Sequence, residues 1–139
     1  QPHIPLLIAG SGEQVTLKLV AQYGDTCNIF GNPDTVAHKF AVLKKHCESV
    51  GRDYNSIHRT VQVLCALGDT DEQAWESIPT WMNTFLHEDT HSYALIGSPE
   101  TLRQRIAAYE AAGVQELALI FSTTTQLDPI RRFAREFIM

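Results

Sequence analysis

Three observations predict an α/β fold built on a parallel sheet. Strand-like runs recur at residues 4–9 (IPLLIA), 26–30 (TCNIF), 60–67 (TVQVLCAL) and 114–121 (VQELALIF). A stretch of helical periodicity separates each run from the next and follows the last. Glycine, proline or capping residues mark the boundaries. The order β-α-β-α-β-α-(α)-β-α implies parallel strands joined by right-handed crossovers. Four such units make half of an eight-stranded (βα) barrel, a fold that typically takes about 250 residues. A small open doubly wound sheet satisfies the same order. The 139 residues suffice for a single domain with its own core.

The first 28 residues set the pattern. Residues 4–9 are long enough for one buried strand. Gly10-Ser11-Gly12 makes a small-residue turn. A helix follows, with Val15, Leu17 (or Leu19), Val20 and Tyr23 near one face, and Gly24-Asp25 ends it. In such a unit the glycine turn lies at the carboxyl end of the strand, where ligands of α/β folds bind. Glycine permits close backbone approach, and the helix N-terminus aims unpaired N–H groups at an anion. The competing reading is a tight turn in which Ser11 and Gln14 form a capping box.

The remaining elements follow from local signals. Asn32 is a cap and Pro33 a first helical residue. Val36, Phe40, Leu43 and Cys47 mark that helix's buried face, and Gly51 stops it. After the third strand, Thr70 and Gln73 open a helix running from Asp71 to about Leu86, which Pro79 should kink or split. Residues 87–96 read as a loop or broken helix. Ser98-Pro99 starts a helix with Leu102, Ile106 and Tyr109 inward and Gly113 as its stop. After the fourth strand, residues 122–125 form a small polar loop, and Asp128-Pro129 opens a last helix over residues 130–139.

Composition narrows the function. The net charge is −5 with no basic cluster, which argues against nucleic acid. No apolar run approaches the roughly 18 residues of a membrane span. Cys27, Cys47 and Cys65 form no CxxC pair, and an odd number of cysteines fits free, buried thiols in a reducing, cytoplasmic setting. The chain begins Gln1-Pro2 without an initiator Met or signal peptide and is expected to be a processed or excised piece of something longer. Asn28, Phe30 and Gly31 end the second strand on the same rim as the glycine turn. A buried Asn there either lines a pocket or is simply satisfied by its neighbours. His87, Glu88 and His91 match the HExxH zinc-hydrolase pattern. Weak helix formers lie between the histidines and no third ligand is evident, so a polar loop is the favoured reading. His38 and His46 read as polar helix-face residues. Trp75, Trp81 and Phe85 read as core in preference to a substrate pocket.

PLLIAGSGEQVTLKLVAQYGDTCNIFG resembles the segment that opens the C-terminal half of the barrel in the luciferase-like monooxygenase superfamily, especially its deazaflavin (coenzyme F-420)-dependent oxidoreductases. VAHKFAVLKKHCESVGRD is similar to that family's next helix, and IGSPETLRQRIAAYEAAGVQELALIF to its closing helix and last strand. Ser11 stands where glycine is common. The resemblance favours the half-barrel, as strands five to eight, and covers nearly the whole chain. It implies that Ala9, Gly10, Ser11, Gly12 and Asn28 bind the cofactor, with the turn on its phosphate. The cofactor implied is coenzyme F-420, or alternatively FMN, and the reaction is hydride transfer with an organic substrate. The family's first four strands supply much of the ring pocket and most acid/base residues. This chain is therefore expected to pair, as a homodimer or with a partner half-barrel, and the alternative to an oxidoreductase half is a non-catalytic half-barrel that pairs in the same way.

Overall fold

The computed structural model describes residues 3–84, 90–121 and 127–138. It contains strands β1 (Leu7–Ala9), β2 (Thr26–Ile29), β3 (His58–Leu67), β4 (Leu95–Gly97) and β5 (Glu116–Phe121). The helices are α1 (Thr16–Tyr23), α2 (Pro33–Val50), α3 (Asp71–Glu76), α4 (Thr90–Tyr93), α5 (Pro99–Ala111) and α6 (Asp128–Phe137). Strands β1 to β4 are hydrogen-bonded in that order, every pair parallel, and β5 pairs with β3. The chain divides into two compact units, residues 1–62 with 109–118, and residues 63–108 with 119–139.

In the first unit α2 follows its sequence signals closely. Asn32 Oδ1 accepts from Thr35 N at 2.8 Å, Pro33 occupies the first turn, and Gly51 ends the helix in the left-handed region at φ 71°. Val36, Phe40, Leu43 and Cys47 are buried, and α1 packs against this helix. Leu17, Val20 and Ala21 of α1, with Cys27, Ile29 and Val61, complete this unit's core. Cys27, Cys47 and Cys65 are all free and buried, as expected. Burial pushes the thiols of Cys27 and Cys65 up to about 12, so both stay protonated and inert at neutral pH.

Two expectations fail here. The first strand is shorter than predicted and is not buried: Leu7 is 60% exposed and Ile4, before it, 80%. Among the described residues it pairs with β2 alone, on one edge. On α1, Val15, Leu19 and Tyr23 are exposed and Leu17, Val20 and Ala21 are buried. Spaced four apart, the exposed three form a second apolar stripe away from the core. Periodicity alone cannot tell which of two stripes meets the helix's own unit.

In the second unit Pro79 splits the predicted helix. α3 ends at Glu76, and a 3-10 turn spans Thr80–Thr84. Thr70 Oγ1 accepts from Gln73 N at 3.3 Å, but the Gln73 side chain turns to Asp69 N instead of closing the box. Within the stretch expected to be a loop or broken helix, Thr90–Tyr93 form the short α4, and Leu95 and Ile96 begin β4, a strand that was not expected. β4 pairs with the end of β3, Cys65 opposite Leu95 and Leu67 opposite Gly97. Ala66, Ala74, Ala94 and Ile96 form the core, with Leu64, Trp75, Ile78 and Tyr93 packed on it. Trp81 is 62% exposed, contrary to the core reading. Phe85, residues 122–125, His87 and Glu88 lie outside the described residues. Among the described residues no helix is long and apolar enough to cross a membrane.

Asp71 ties α3 to the start of α5. Its Oδ1 accepts from Ser98 N at 2.7 Å and from Thr101 Oγ1 at 2.8 Å. These bonds, the Ser98 N–H first, hold its carboxyl below the ordinary 3.8. A depressed folded value adds stability that is complete above the unfolded value and disappears as pH falls through the folded one. Asp71→Ala should therefore unfold at lower urea concentration than wild type at pH 7. The gap should narrow below pH 3.8. Urea titrations of both proteins at neutral and acid pH check this, and a gap that is unchanged at acid pH would contradict it.

Candidate functional site

The glycine turn, the end of β2 and part of β3 meet within the first unit. Gly10 N donates to Asn28 O at 3.0 Å, which joins the turn to the end of β2. Asn28 is buried, and its Nδ2 donates to Thr60 Oγ1 at 2.7 Å. Thr60 Oγ1 in turn donates to Cys27 O at 3.3 Å. The sequence left Asn28 between pocket and structure. This relay gives it a structural partner on one amide hydrogen, and among the described residues nothing bonds its Oδ1. Phe30 and Gly31 follow, with Phe30 63% exposed.

Gly10 N is committed to Asn28 O and Leu17 N donates to Gly12 O at 2.9 Å, while among the described residues nothing accepts from Ser11 N or Gly12 N. Gly10 has φ +133°, a backbone conformation that side chains rarely adopt. A Cβ built on Gly10 would lie 3.1 Å from Thr16 Cγ2, and one on Gly12 would lie 3.0 Å from Thr16 Oγ1. Ser11 Oγ is buried with no hydrogen-bond partner among the described residues, so the Ser11–Gln14 capping box does not form. Val15 takes the N-cap position of α1 and no side chain caps the helix. By contrast Asn32 caps α2, Thr70 caps α3, and Ser98 Oγ accepts from Thr101 N at the start of α5. A helix N-terminus with free donors beside an unsatisfied buried hydroxyl is chemically suited to an oxyanion such as phosphate.

Sequence reasoning missed Glu13, the residue just after the turn. Its carboxylate accepts from Lys39 Nζ at 2.7 Å and pairs with His38 Nε2 at 3.1 Å. Those two bonds, Lys39 first, hold its carboxyl below the ordinary value. Thr60 was missed as well, because a threonine in a β-rich run reads as a strand former. At the HExxH pattern, the His91 ring stacks on Trp75 with centroids 3.8 Å apart. Among the described residues no group of His, Cys, Asp or Glu is placed to hold a metal.

A profile of the luciferase-like monooxygenase family matches residues 1–92. No curated protein matches the chain in sequence. Among solved structures it is similar to an F-420-dependent secondary alcohol dehydrogenase in complex with an F-420–acetone adduct. The TM-score is 0.76 at 17% identity, covering 98% of this chain and 48% of that one. It is also similar to the coenzyme F-420-dependent tetrahydromethanopterin reductase of Methanopyrus kandleri, with TM-score 0.75 at 14% identity, over 97% of this chain and 50% of that one. A long-chain alkane monooxygenase matches with TM-score 0.71 at 14% identity, over 93% and 38% respectively. The chain thus spans half or less of the length of these structures. Its parallel strands and helices form half of a (βα)8 barrel, which decides against the doubly wound alternative. By the profile match over most of its length, the chain belongs to the luciferase-like monooxygenase family.

Proposed function

We propose that this chain is the C-terminal half of an F-420-dependent oxidoreductase, and that Ala9, Gly10, Ser11, Gly12 and Asn28 hold the phosphate-bearing side of the cofactor. One observation carries the reading: the orphaned Ser11 hydroxyl lies at the uncapped start of α1. When bound, the deazaflavin supplies a ring carbon that accepts or donates a hydride. The chain's own residues bind and orient. Ser11 donates to a phosphate oxygen, the glycines admit the phosphate to the backbone, and Asn28 offers its free carboxamide oxygen to the ligand. FMN, with its single phosphate, satisfies the same turn and is the alternative cofactor. The zinc reading has nothing further to support it.

A second half-barrel completes the site in this proposal, most simply a second copy of this chain in a cytoplasmic homodimer, otherwise a partner half. The support is the open edge of β1, with Ile4, Leu6 and Leu7 exposed beside it, and the apolar stripe Val15, Leu19 and Tyr23 on α1. An open parallel edge and an uncovered apolar face favour association. Titration of the purified chain with oxidised F-420 and with FMN, followed by fluorescence and with the mass read by light scattering, tests both parts. Saturable binding by a dimer is expected. A monomer that binds neither cofactor would make the chain a scaffold and overturn the proposal.

A further inference from the structure

We infer that Glu13 is a positioning residue, clamped by three side chains of α2 so that the donors at the start of α1 face the anion. The inference rests on the phosphate-binding reading of the Gly10–Gly12 turn. Glu13 is held at both ends. Its carboxylate takes Lys39 Nζ at 2.7 Å and His38 Nε2 at 3.1 Å, and its main-chain oxygen takes His46 Nε2 at 2.8 Å. A carbonyl oxygen only accepts, so His46 carries its proton on Nε2. Lys39 and His46 are partly buried, and both lie on the helix that packs against α1. Such a three-point clamp on one residue resists rotation in a way a single exposed ion pair does not.

The clamp has a geometric consequence. A trans peptide points its C=O and its N–H in opposite directions. Fixing Glu13 O towards His46 therefore fixes the Gln14 N–H pointing away from α2. Among the described residues nothing accepts from that N–H. The rigid α2 thereby sets the direction of a free donor two residues past Gly12. A carboxylate near a phosphate repels it, so the electrostatic effect of Glu13 opposes anion binding. Its orienting effect favours anion binding, so the two effects have opposite signs.

That difference in sign is the test. Glu13→Ala and His46→Gln should each weaken binding of FMN or F-420, whichever the wild type binds, by about tenfold, the order of one charge-assisted hydrogen bond. Glu13→Gln keeps an acceptor for Lys39 and should recover part of the loss. Binding of the phosphate-free riboside of the same ring (riboflavin for FMN, the deazaflavin riboside for F-420) should not change. Tighter or unchanged cofactor binding in Glu13→Ala would overturn the inference and leave the phosphate reading standing. Equal losses for cofactor and riboside would also overturn it, as general damage. If the wild type prefers neither cofactor to its riboside, the phosphate reading itself fails and the inference falls with it. Should Glu13→Ala not fold, Glu13→Gln and His46→Gln decide by the same comparison.

Discussion

Gly10→Ala is expected to weaken cofactor binding by at least about tenfold and to lower stability by about 1–3 kcal/mol, the usual range for strained backbone. Gly10 sits at φ +133°, and an added methyl would press on Thr16 Cγ2 at 3.1 Å. Relief requires either the turn or Thr16 to move. The turn is also bonded through Gly10 N to Asn28 O, and Asn28 to Thr60, so a shift disturbs the rim as well as the donors. Gly51→Ala is the matched control. Its φ is +71° with nothing within 4 Å of the added carbon, so it should cost about 1–2 kcal/mol through the left-handed backbone alone and leave binding unchanged. Fluorescence titration with F-420 and FMN, together with urea unfolding, separates the two. Binding by Gly10→Ala equal to wild type would mean that the turn does not hold the cofactor.

How much of this was legible depended on how far each interaction reaches along the chain. α2 was readable throughout because Asn32, Pro33, the Val36–Phe40–Leu43–Cys47 stripe and Gly51 are all local signals. The glycine turn was readable for the same reason, but its missing cap was not: Ser11 and Gln14 have the spacing of a cap that does not form. Glu13 escaped notice because its partners lie 25, 26 and 33 residues away on another helix. β4 escaped because three residues, Leu95–Gly97, cannot show a period of two. The failure at β1 is of a different kind. An apolar run such as residues 4–9 reads as buried whenever both neighbours exist, and here, among the described residues, one edge is unpaired. The same holds for Val15, Leu19 and Tyr23.

The largest stability effect in the first unit is expected at Arg59, the second residue of β3 and one position before the strand expected from the sequence. It is only 9% exposed. Its Nε donates to Gly113 O at 3.2 Å, and its Nη1 to Ile57 O at 3.1 Å and Tyr54 O at 3.4 Å. The guanidinium also lies over the Tyr54 ring, 4.4 Å from its centre. Among the described residues no carboxylate pairs with it, so carbonyls and an aromatic face carry the whole charge. The main chain of Arg59 is engaged too, with N donating to Gln115 Oε1 at 3.0 Å and O accepting from Gln115 N at 2.9 Å. One side chain thus staples the turn before β3 to the turn before β5. Arg59→Met keeps the bulk of the stem but strips the donors from three carbonyls, and should cost about 2–4 kcal/mol. Arg59→Lys keeps the charge but replaces a planar fork with a single point, so it cannot reach all three acceptors and should fall between the two. Hydrogen bonds and not charge would then rank the variants, and urea unfolding at neutral pH measures that order. Were Arg59→Met as stable as wild type, the burial of this cation would be neutral, and the link between Tyr54, Ile57 and Gly113 would have to be held by the backbone pairing of Arg59 with Gln115 alone.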